Sequence, residues 1–331
     1  MGNLSSKGDS ALYRPEIIAH RGASGYLPEH TLEAKAMAYA FLPDYIEQDV
    51  VLSKDGIPVV LHDHTLETTT DVAKKFSGRN RRDGSYYAID FTLAELKSLI
   101  VTERFNPETQ EAVFSKRFPL GWGIDFRIPT LEEEFLLIQG LNKSTGHNIG
   151  VYVEVKESSF HDKEGQDALQ KTIDMLTDYG YNAPNSQAVL QIFDYEAVRI
   201  SRDKGWKGQL AMLIANGGQT LKDDKERHKW LLTEEGIADI AKYATIYAPW
   251  FSHLAVPNAD GESYTISKTT ELAKKQGMKV HSWTHRSDAL LKGFKDSSEL
   301  LDVAFKQLKI DGLFSDFPDK AMNYLRQNKL R

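Results

Sequence analysis

The chain has 331 residues, 41% of them hydrophobic and 27% charged, with a net charge of −6 and no cysteine. This composition is typical of a globular protein with a sizeable core, and the negative charge argues against nucleic acid or an anionic membrane as the main partner. Without cysteine, disulfides, thiol catalysis and thiolate metal sites are all excluded.

Short apolar strands alternate with helical segments from Glu16 onward. Eight strands are predicted, at residues 16–20, 45–53, 149–156, 188–193, 209–214, 245–250, 279–283 and 311–316. Helices are predicted between them, for instance at 31–41, 130–141 and 263–277. This alternation indicates parallel βαβ units, and eight of them at this length predict a closed (β/α)8 TIM barrel. A doubly wound open sheet is the alternative, but no Gly-x-Gly-x-x-Gly fingerprint follows the first strand.

The alternation is interrupted between VVLHDH (59–64) and IPTLEEEF (128–135). A long structureless loop is uncommon inside a compact domain. We therefore predict an inserted cap subdomain over 65–127, after the second strand, with a threonine-capped helix near 92–99. The chain as a whole, with a core at about 16–328, is expected to be one domain spanning 1–331.

Polar side chains collect where the predicted strands end, which is where (β/α)8 barrels carry their functional groups. In chain order these positions are His20 with Arg21, Glu47 with Asp49, His62, Glu154 with Lys156, Gln191, His281 with Trp283, and Asp316. The strand interiors stay apolar. A merely solvated rim would not concentrate imidazole and carboxylate in this way, so the pattern predicts a functional site.

Three of these carboxylates predict a metal site. Glu47 and Asp49 are two residues apart in a strand and therefore project from the same face. An isolated Glu-x-Asp usually marks a surface strand, but apolar neighbours here predict burial, and buried carboxylates need a partner or a metal. Together with Glu154 they would repel one another unless a cation joined them. Oxygen ligands suit Mg²⁺ or Ca²⁺ rather than Zn²⁺.

The remaining polar groups predict acid–base chemistry on a phosphate. A single histidine at a strand end is more often a packed one, but His20 and His62 lie at one rim beside carboxylates, and imidazole exchanges protons near neutrality. Arg21 offers a planar fork and Lys156 a point charge to a phosphate. Gly22 permits close backbone approach. With a divalent cation, this set indicates phosphoryl-ester hydrolysis.

A zinc amidohydrolase is a competing interpretation, because HDH (62–64) resembles the His-x-His of those barrel enzymes and Asp316 suits their catalytic aspartate. That family requires His-x-His on the first strand and histidines after strands five and six. Here the pair follows strand two, the fifth strand leads into LIANGG, and the nearest histidine after the sixth is His253.

Several blocks together resemble the glycerophosphodiester phosphodiesterase family, most closely its bacterial periplasmic type. They are AHRGASGYLPEHTLEAKAMAYA, YIEQDVVLSKDGIPVVLHDHTLETTTDV, DGSYYAIDFTL, RIPTLEEEF, GLNKSTGHNIGVYVEVK and GLFSDFPDKA. The resemblance implies a barrel with a small insertion after its second strand. It implies hydrolysis of glycerophosphodiesters to an alcohol and sn-glycerol 3-phosphate.

Carried over by position, the resemblance assigns a role to each matching residue. His20 and His62 match the paired catalytic histidines, and Arg21 and Lys156 match contacts to the substrate phosphate. The ligands of one divalent cation, Ca²⁺ or Mg²⁺, match Glu47, Asp49 and Glu154.

Two segments depart from the family pattern, ESSFH after Lys156 and HSWTHR near the seventh strand. These positions line the alcohol or glycerol side of the pocket, where His64, Gln191 and Trp283 are further candidates for pocket lining. Substrate preference is therefore not predicted. A cell-surface binding protein on the same scaffold is a second functional hypothesis, but such a protein would be expected to have lost a histidine or a metal ligand.

The resemblance also implies a periplasmic or cell-envelope location and a small-molecule substrate, with the protein a monomer or homodimer. No apolar run in the sequence approaches the length of a membrane span. The first ten residues, MGNLSSKGDS, lack the apolar region of a signal peptide, so a leader is expected to have been removed.

Overall fold

The computed structural model describes residues 13–215 and 225–331, so the N-terminal stretch considered for a leader lies outside the described residues. The strands are β1 (Glu16–Ala19), β2 (Tyr45–Leu52), β3 (Pro58–Val60), β4 (Gly150–Val155), β5 (Ala188–Ile192), β6 (Gln209–Ile214), β7 (Ile246–Pro249), β8 (Ala255–Pro257), β9 (Tyr264–Ile266), β10 (Lys279–His285) and β11 (Gly312–Ser315). Eight of them, β1, β2, β4, β5, β6, β7, β10 and β11, pair in parallel, and β1 pairs with both β2 and β11 to close the barrel. The predicted (β/α)8 barrel is confirmed.

Helices surround the barrel. They are α1 (Leu32–Ala40), α2 (Val72–Lys75), α3 (Leu93–Ser98), α4 (Leu131–Thr145), α5 (Ser158–Lys163), α6 (Ala168–Asp178), α7 (Tyr195–Ile200), α8 (Lys225–Trp230), α9 (Glu234–Ile240), α10 (Thr269–Lys275), α11 (Ser297–Asp302) and α12 (Pro318–Gln327). The N-cap residues of α1, α3 and α4 are Thr31, Thr92 and Thr130. The side-chain oxygen of each accepts a hydrogen bond from a backbone N–H of the first turn. These caps confirm the helices predicted near 31–41, 92–99 and 130–141. In the part of the chain that the structure describes, no helix has the length and apolarity needed to span a bilayer.

The helix predicted over 263–277 is wrong in its first half. Residues Tyr264–Ile266 form β9, which pairs antiparallel with β8, and α10 begins only at Thr269. Tyrosine, threonine and isoleucine fit a pleated strand better than a helix. The available antiparallel partner therefore decides the conformation of this stretch.

Side-chain alternation along the barrel strands produces two levels inside the barrel. The lower level is apolar and contains Ile18, Tyr45, Tyr152, Val189 and Phe314. Two residues further along β1, β2, β4 and β5, on the same face, come the polar side chains of His20, Glu47, Glu154 and Gln191. The strands face the helices on their other side and are buried on both, as in other parallel sheets. The interior therefore supports a polar layer on an apolar floor.

The stretch between β3 and α4, residues 61–130, contains α2, a 3₁₀ turn at Ala88–Asp90 and α3; we call it the β3–α4 segment. Its buried apolar side chains pack with one another and against the outer face of β2 and β3; they include Leu66, Val72, Phe91, Leu96, Leu99, Val101 and Phe126. The segment is therefore ordered around apolar contacts of its own. The boundaries 65–127 for a separate subdomain stay a prediction.

Candidate active site

A cavity of about 620 Å³ opens at the carboxyl ends of the barrel strands. The predicted site residues that line it are His20, Arg21, Glu47, His62, His64, Glu154, Lys156, Gln191 and Trp283. Asp49 is the remaining predicted ligand. One of its carboxylate oxygens lies within 4.8 Å of a carboxylate oxygen of Glu47 and of one of Glu154. The parallel register explains this convergence, because Asp49 pairs with Glu154, which in turn pairs with Gln191 on β5.

The turn after β1 brings His20 and Arg21 to the cavity through an unusual backbone. Arg21 and Gly22 have φ values of 58° and 86°, in the left-handed region. A Cβ on Gly22 would lie 2.8 Å from the carbonyl carbon and oxygen of Ala34, so only glycine fits against the start of α1. The Arg21 backbone N–H can then donate to Glu47 Oε2 at 2.8 Å. The turn thus ties β1 to a carboxylate of β2.

Glu47, Asp49 and Glu154 form a buried cluster, which we call the carboxylate cluster. Burial, and then the negative charge of Asp49, raise the pKa of Glu47 and raise that of Glu154 well above its usual value. Burial also acts to raise the pKa of Asp49, but the positive charge of Lys156 and a hydrogen bond with His30 hold it well below its usual value. The three groups therefore resist being ionised together.

The carboxylate cluster fits a hard divalent cation. Asp49 Oδ1 is buried and has no hydrogen-bond partner among the described residues. A buried, unpaired carboxylate oxygen is costly unless it meets a positive charge. Three carboxylates that offer one oxygen each within a few ångströms are the donor set that Ca²⁺ and Mg²⁺ take in proteins.

A second layer of side chains orients these carboxylates. His30 Nε2 lies 2.7 Å from Asp49 Oδ2, and Gln191 donates to Glu47 Oε1 at 2.9 Å. Burial and the adjacent Lys35 lower the pKa of His30 to about 3, so its ring is neutral. Because Lys35 Nζ donates to Nδ1 at 3.1 Å, the ring proton is on Nε2, where it is donated to Asp49. Such partners commonly fix the geometry of metal ligands.

His20 is held by a carboxylate from the opposite end of the chain. Its Nδ1 lies 2.6 Å from Asp316 Oδ1, directly after β11, and its Nε2 lies 3.7 Å from Glu47 Oε2. A carboxylate at Nδ1 fixes the ring and its tautomer, leaving Nε2 as the nitrogen that faces the carboxylate cluster. The arrangement suits proton transfer at Nε2.

His62 has the same arrangement with its neighbour in sequence. Its Nδ1 lies 2.6 Å from Asp63 Oδ1. Burial, with the charges of Arg21 and Lys156, lowers the pKa of His62 to about 4 despite Asp63. The ring is therefore neutral near pH 7 and able to accept a proton at Nε2.

Arg21 and Lys156 place two positive charges at the cavity. Arg21 Nη1 donates to both oxygens of Glu29 at 3.0 Å, whereas its buried Nε has no hydrogen-bond partner in the described parts of the chain. Lys156 Nζ lies 2.7 Å from Glu154 Oε1. Both cations are therefore within reach of an anion bound beside the carboxylate cluster.

Aromatic rings also line the cavity. Trp283 packs edge-on against Phe193, with ring centroids 5.6 Å apart, and its Nε1 donates to the Ala248 carbonyl at 3.0 Å. His64 packs against two aromatic rings, with its centroid 4.7 Å from that of Phe160 and 5.3 Å from that of Tyr87. His64 therefore belongs to an aromatic wall, and the metal-type cluster in the described residues consists of carboxylates alone. Both observations disfavour the zinc amidohydrolase interpretation.

Sequence reasoning missed His30, gave no role to Asp63, and considered Asp316 only as the catalytic aspartate of the amidohydrolase alternative. His30 lies beyond the end of β1, in LPEHT, and nothing in the local pattern indicates that it reaches Asp49 on β2. Asp316 carried a usable signal, because it directly follows the last barrel strand.

Comparison with known proteins shows which family the chain belongs to. Residues 20–320 match the model of the glycerophosphoryl diester phosphodiesterase family. A glycerophosphodiester phosphodiesterase of Haemophilus influenzae is 40% identical over 98% of this chain and 92% of its own length, and one of Treponema pallidum is 35% identical over 93% and 91%.

Solved structures show the same fold at lower identity. A crystal structure of a protein from Silicibacter pomeroyi DSS-3 matches with a TM-score of 0.71 at 21% identity, over 96% of this chain and 94% of that one. An Oleispira antarctica phosphodiesterase, in complex with the product sn-glycerol-3-phosphate, matches with a TM-score of 0.61 at 21% identity, over 95% and 98%. The family match over most of the chain confirms the predicted enzyme class, and the chain belongs to the glycerophosphoryl diester phosphodiesterase family.

Proposed function

We propose that this protein hydrolyses glycerophosphodiesters, the headgroup esters of deacylated phospholipids, to an alcohol and sn-glycerol 3-phosphate. One observation carries the proposal: two imidazoles, each hydrogen-bonded at Nδ1 to an aspartate, line the same cavity as a buried carboxylate cluster. The family match supports this substrate class. The Oleispira antarctica structure adds support, because its bound product is the compound expected here.

His20 and His62 supply acid–base catalysis in this proposal. One ring accepts a proton from the attacking oxygen at its Nε2, and the other donates a proton to the alkoxide released when the phosphorus–oxygen bond breaks. Overall, water adds across that bond. Asp316 and Asp63, hydrogen-bonded at Nδ1, orient the rings and stabilise the protonated forms.

Glu47, Asp49 and Glu154 would hold one Ca²⁺ or Mg²⁺ ion. When bound, the cation supplies positive charge to the phosphate and its developing negative charge. Arg21 Nε and Lys156 Nζ would donate to phosphate oxygens from the same side of the cavity. The aromatic wall would then face the alcohol or glycerol part of the substrate.

We further propose a periplasmic or cell-envelope location, which rests on the resemblance to the periplasmic type of the family. Fractionating the native cells and assaying glycerophosphocholine cleavage in each fraction would test it, with activity expected in the periplasmic or envelope fraction. Activity confined to the cytoplasmic fraction would contradict it.

The catalytic proposal is tested by glycerophosphocholine cleavage in His20→Ala and His62→Ala. Each variant should lose at least about a hundredfold in kcat, because proton transfer commonly contributes 10²–10⁴-fold. His147→Ala, at an exposed histidine after α4, is the matched control and should keep native activity. EDTA should abolish turnover, and Ca²⁺ or Mg²⁺ should restore it. More than about one per cent of native activity in either catalytic variant would contradict the assignment.

A further inference from the structure

The β3–α4 segment sends an arginine to the aspartate that holds His62. Arg104 Nη1 donates to Asp63 Oδ2 at 2.6 Å, while the other oxygen of Asp63 lies 2.6 Å from His62 Nδ1. Nη2 and Nε of the same arginine donate to the two oxygens of Glu29 at 2.6 and 3.0 Å. The arginine side chain is largely buried, with 16% of its surface exposed. Its position is therefore fixed by three charged contacts.

A second arginine of the segment does the same for His20. Arg117 Nη2 donates to Asp316 Oδ2 at 2.7 Å, while Oδ1 of that aspartate lies 2.6 Å from His20 Nδ1. Arg117 also donates to both oxygens of Asp288, at 2.8 and 3.1 Å, and only 3% of its side chain is exposed. Its guanidinium lies 3.6 Å from the ring centroid of Phe114. Arg286 Nε, at 2.8 Å, is a further donor to Asp316 Oδ2.

The two histidines thus have matching supports. In each, one aspartate oxygen accepts from the imidazole Nδ1–H and the other accepts from an arginine of the β3–α4 segment. A carboxylate bound at one oxygen can still rotate about its Cβ–Cγ bond, whereas a charge-assisted bond at the second oxygen fixes its plane. Although burial acts to raise it, the charge of Arg104 lowers the pKa of Asp63, and the charges of Arg286, His20 and Arg117 hold the pKa of Asp316 well below its usual range, so both aspartates stay hydrogen-bond acceptors.

We propose that Arg104 and Arg117 are positioning residues that hold the two imidazoles in their reactive orientation through Asp63 and Asp316. The part of the β3–α4 segment that follows His62 then helps to orient both catalytic groups. The inference rests on the proposed function, because it takes His20 and His62 as the proton-transfer groups.

Arg117 offers the cleaner test, because Arg104 also binds Glu29, the partner of Arg21. Arg117→Gln should lower kcat for glycerophosphocholine by about tenfold or more, within the 10–100-fold range for groups that orient functional side chains. KM should change less than twofold, because Arg117 does not line the cavity. Arg117→Lys, which retains the charge without the planar fork, should recover part of the loss.

The matched control is Lys97→Gln. Lys97 belongs to the same segment and donates to Glu133 of α4, but it contacts neither aspartate that holds a histidine, and neither it nor Glu133 lines the cavity. The control removes another charged link between the segment and the barrel, so its kcat should stay within about twofold of native. A loss in Lys97→Gln equal to that in Arg117→Gln would overturn the proposal, since any loosened link would then suffice.

A double-mutant cycle shows whether Arg117 acts through Asp316. In the Asp316→Asn background, Arg117→Gln should cost less than twofold in kcat, because the carboxylate that it orients is already gone. If the double variant instead loses the product of the two single-variant losses in kcat, the proposal is overturned. If Arg117→Gln does not fold, Arg117→Lys replaces it in the cycle. That variant should lose severalfold in kcat, and a native kcat would overturn the proposal.

These results separate the two hypotheses. Failure of the native protein to cleave glycerophosphodiesters would overturn the proposed function, and native activity in His20→Ala and His62→Ala would overturn the acid–base roles on which the inference rests. Inactive histidine variants combined with a native Arg117→Gln would overturn only the positioning role.

Discussion

Glu103 provides a pH-dependent test of the electrostatics of the β3–α4 segment. Its side chain is buried, and Oε2 has no hydrogen-bond partner among the described residues. Burial, and then the negative charge of Glu29, raise its pKa from 4.5 to about 8. The folded protein therefore keeps this carboxyl protonated near neutrality, whereas the unfolded chain ionises it.

The sign of the effect follows from this difference. Below pH 4.5 both states are protonated and Glu103 causes no pH-dependent loss of stability. As the pH rises towards 8, the unfolded state gains by ionising and the folded state does not. At about 1.4 kcal/mol per pH unit, the free energy of unfolding should fall by on the order of 3 kcal/mol between pH 5 and pH 8 because of this residue.

Glu103→Gln removes the titrating group. The free energy of unfolding of the variant, relative to that of the native protein, should therefore rise by on the order of 3 kcal/mol between pH 5 and pH 8. Urea denaturation of both proteins at each pH unit measures the difference, in which contributions common to both cancel. Glu108→Gln, at an exposed residue of the same segment, controls for the loss of one carboxyl group. Parallel stability curves for Glu103→Gln and the native protein would refute the reasoning.

Three further outcomes are expected. Glu154→Gln should weaken Ca²⁺ binding by at least about a hundredfold in titration calorimetry, since it removes one of three charged donors; undiminished affinity would exclude the carboxylate cluster as the site. His30→Ala should weaken the same binding by about 10–100-fold, because Asp49 loses the donor that orients it, and unchanged affinity would contradict that role. Gly22→Ala should lower the free energy of unfolding by about 1–3 kcal/mol in urea titrations, since the new Cβ would lie 2.8 Å from the Ala34 backbone. A smaller change would show that the turn can shift to make room for the Cβ.

The sequence was sufficient to predict the barrel and the level at which its polar groups lie. Buried parallel strands are short apolar runs, and their carboxyl ends must meet at one rim, so Glu47 and Glu154 could be placed together without coordinates. The threonine that caps α3 gave an equally local signal. By contrast, residues 264–266 depend on pairing with β8, and a helical periodicity cannot reveal that partner.

The arginines that bind the aspartates of the two histidines could not be predicted from local patterns. Asp316 and Arg117 are separated by 199 positions, and Arg104 and Asp63 by 41. The β3–α4 segment has few regular elements, so no hydrophobic period fixes which way its arginines project. Such ion pairs are set by three-dimensional packing, and a single sequence contains no direct record of them.

The two-level interior of the barrel has a thermodynamic consequence. Crowded carboxylates above an apolar floor destabilise the mouth of the barrel whenever no counter-ion compensates their charge. Whatever cation settles there binds the native state in preference to the unfolded chain, and therefore raises the melting temperature by mass action. Melting curves recorded across a series of salts would consequently rank the ions by fit, with no substrate present.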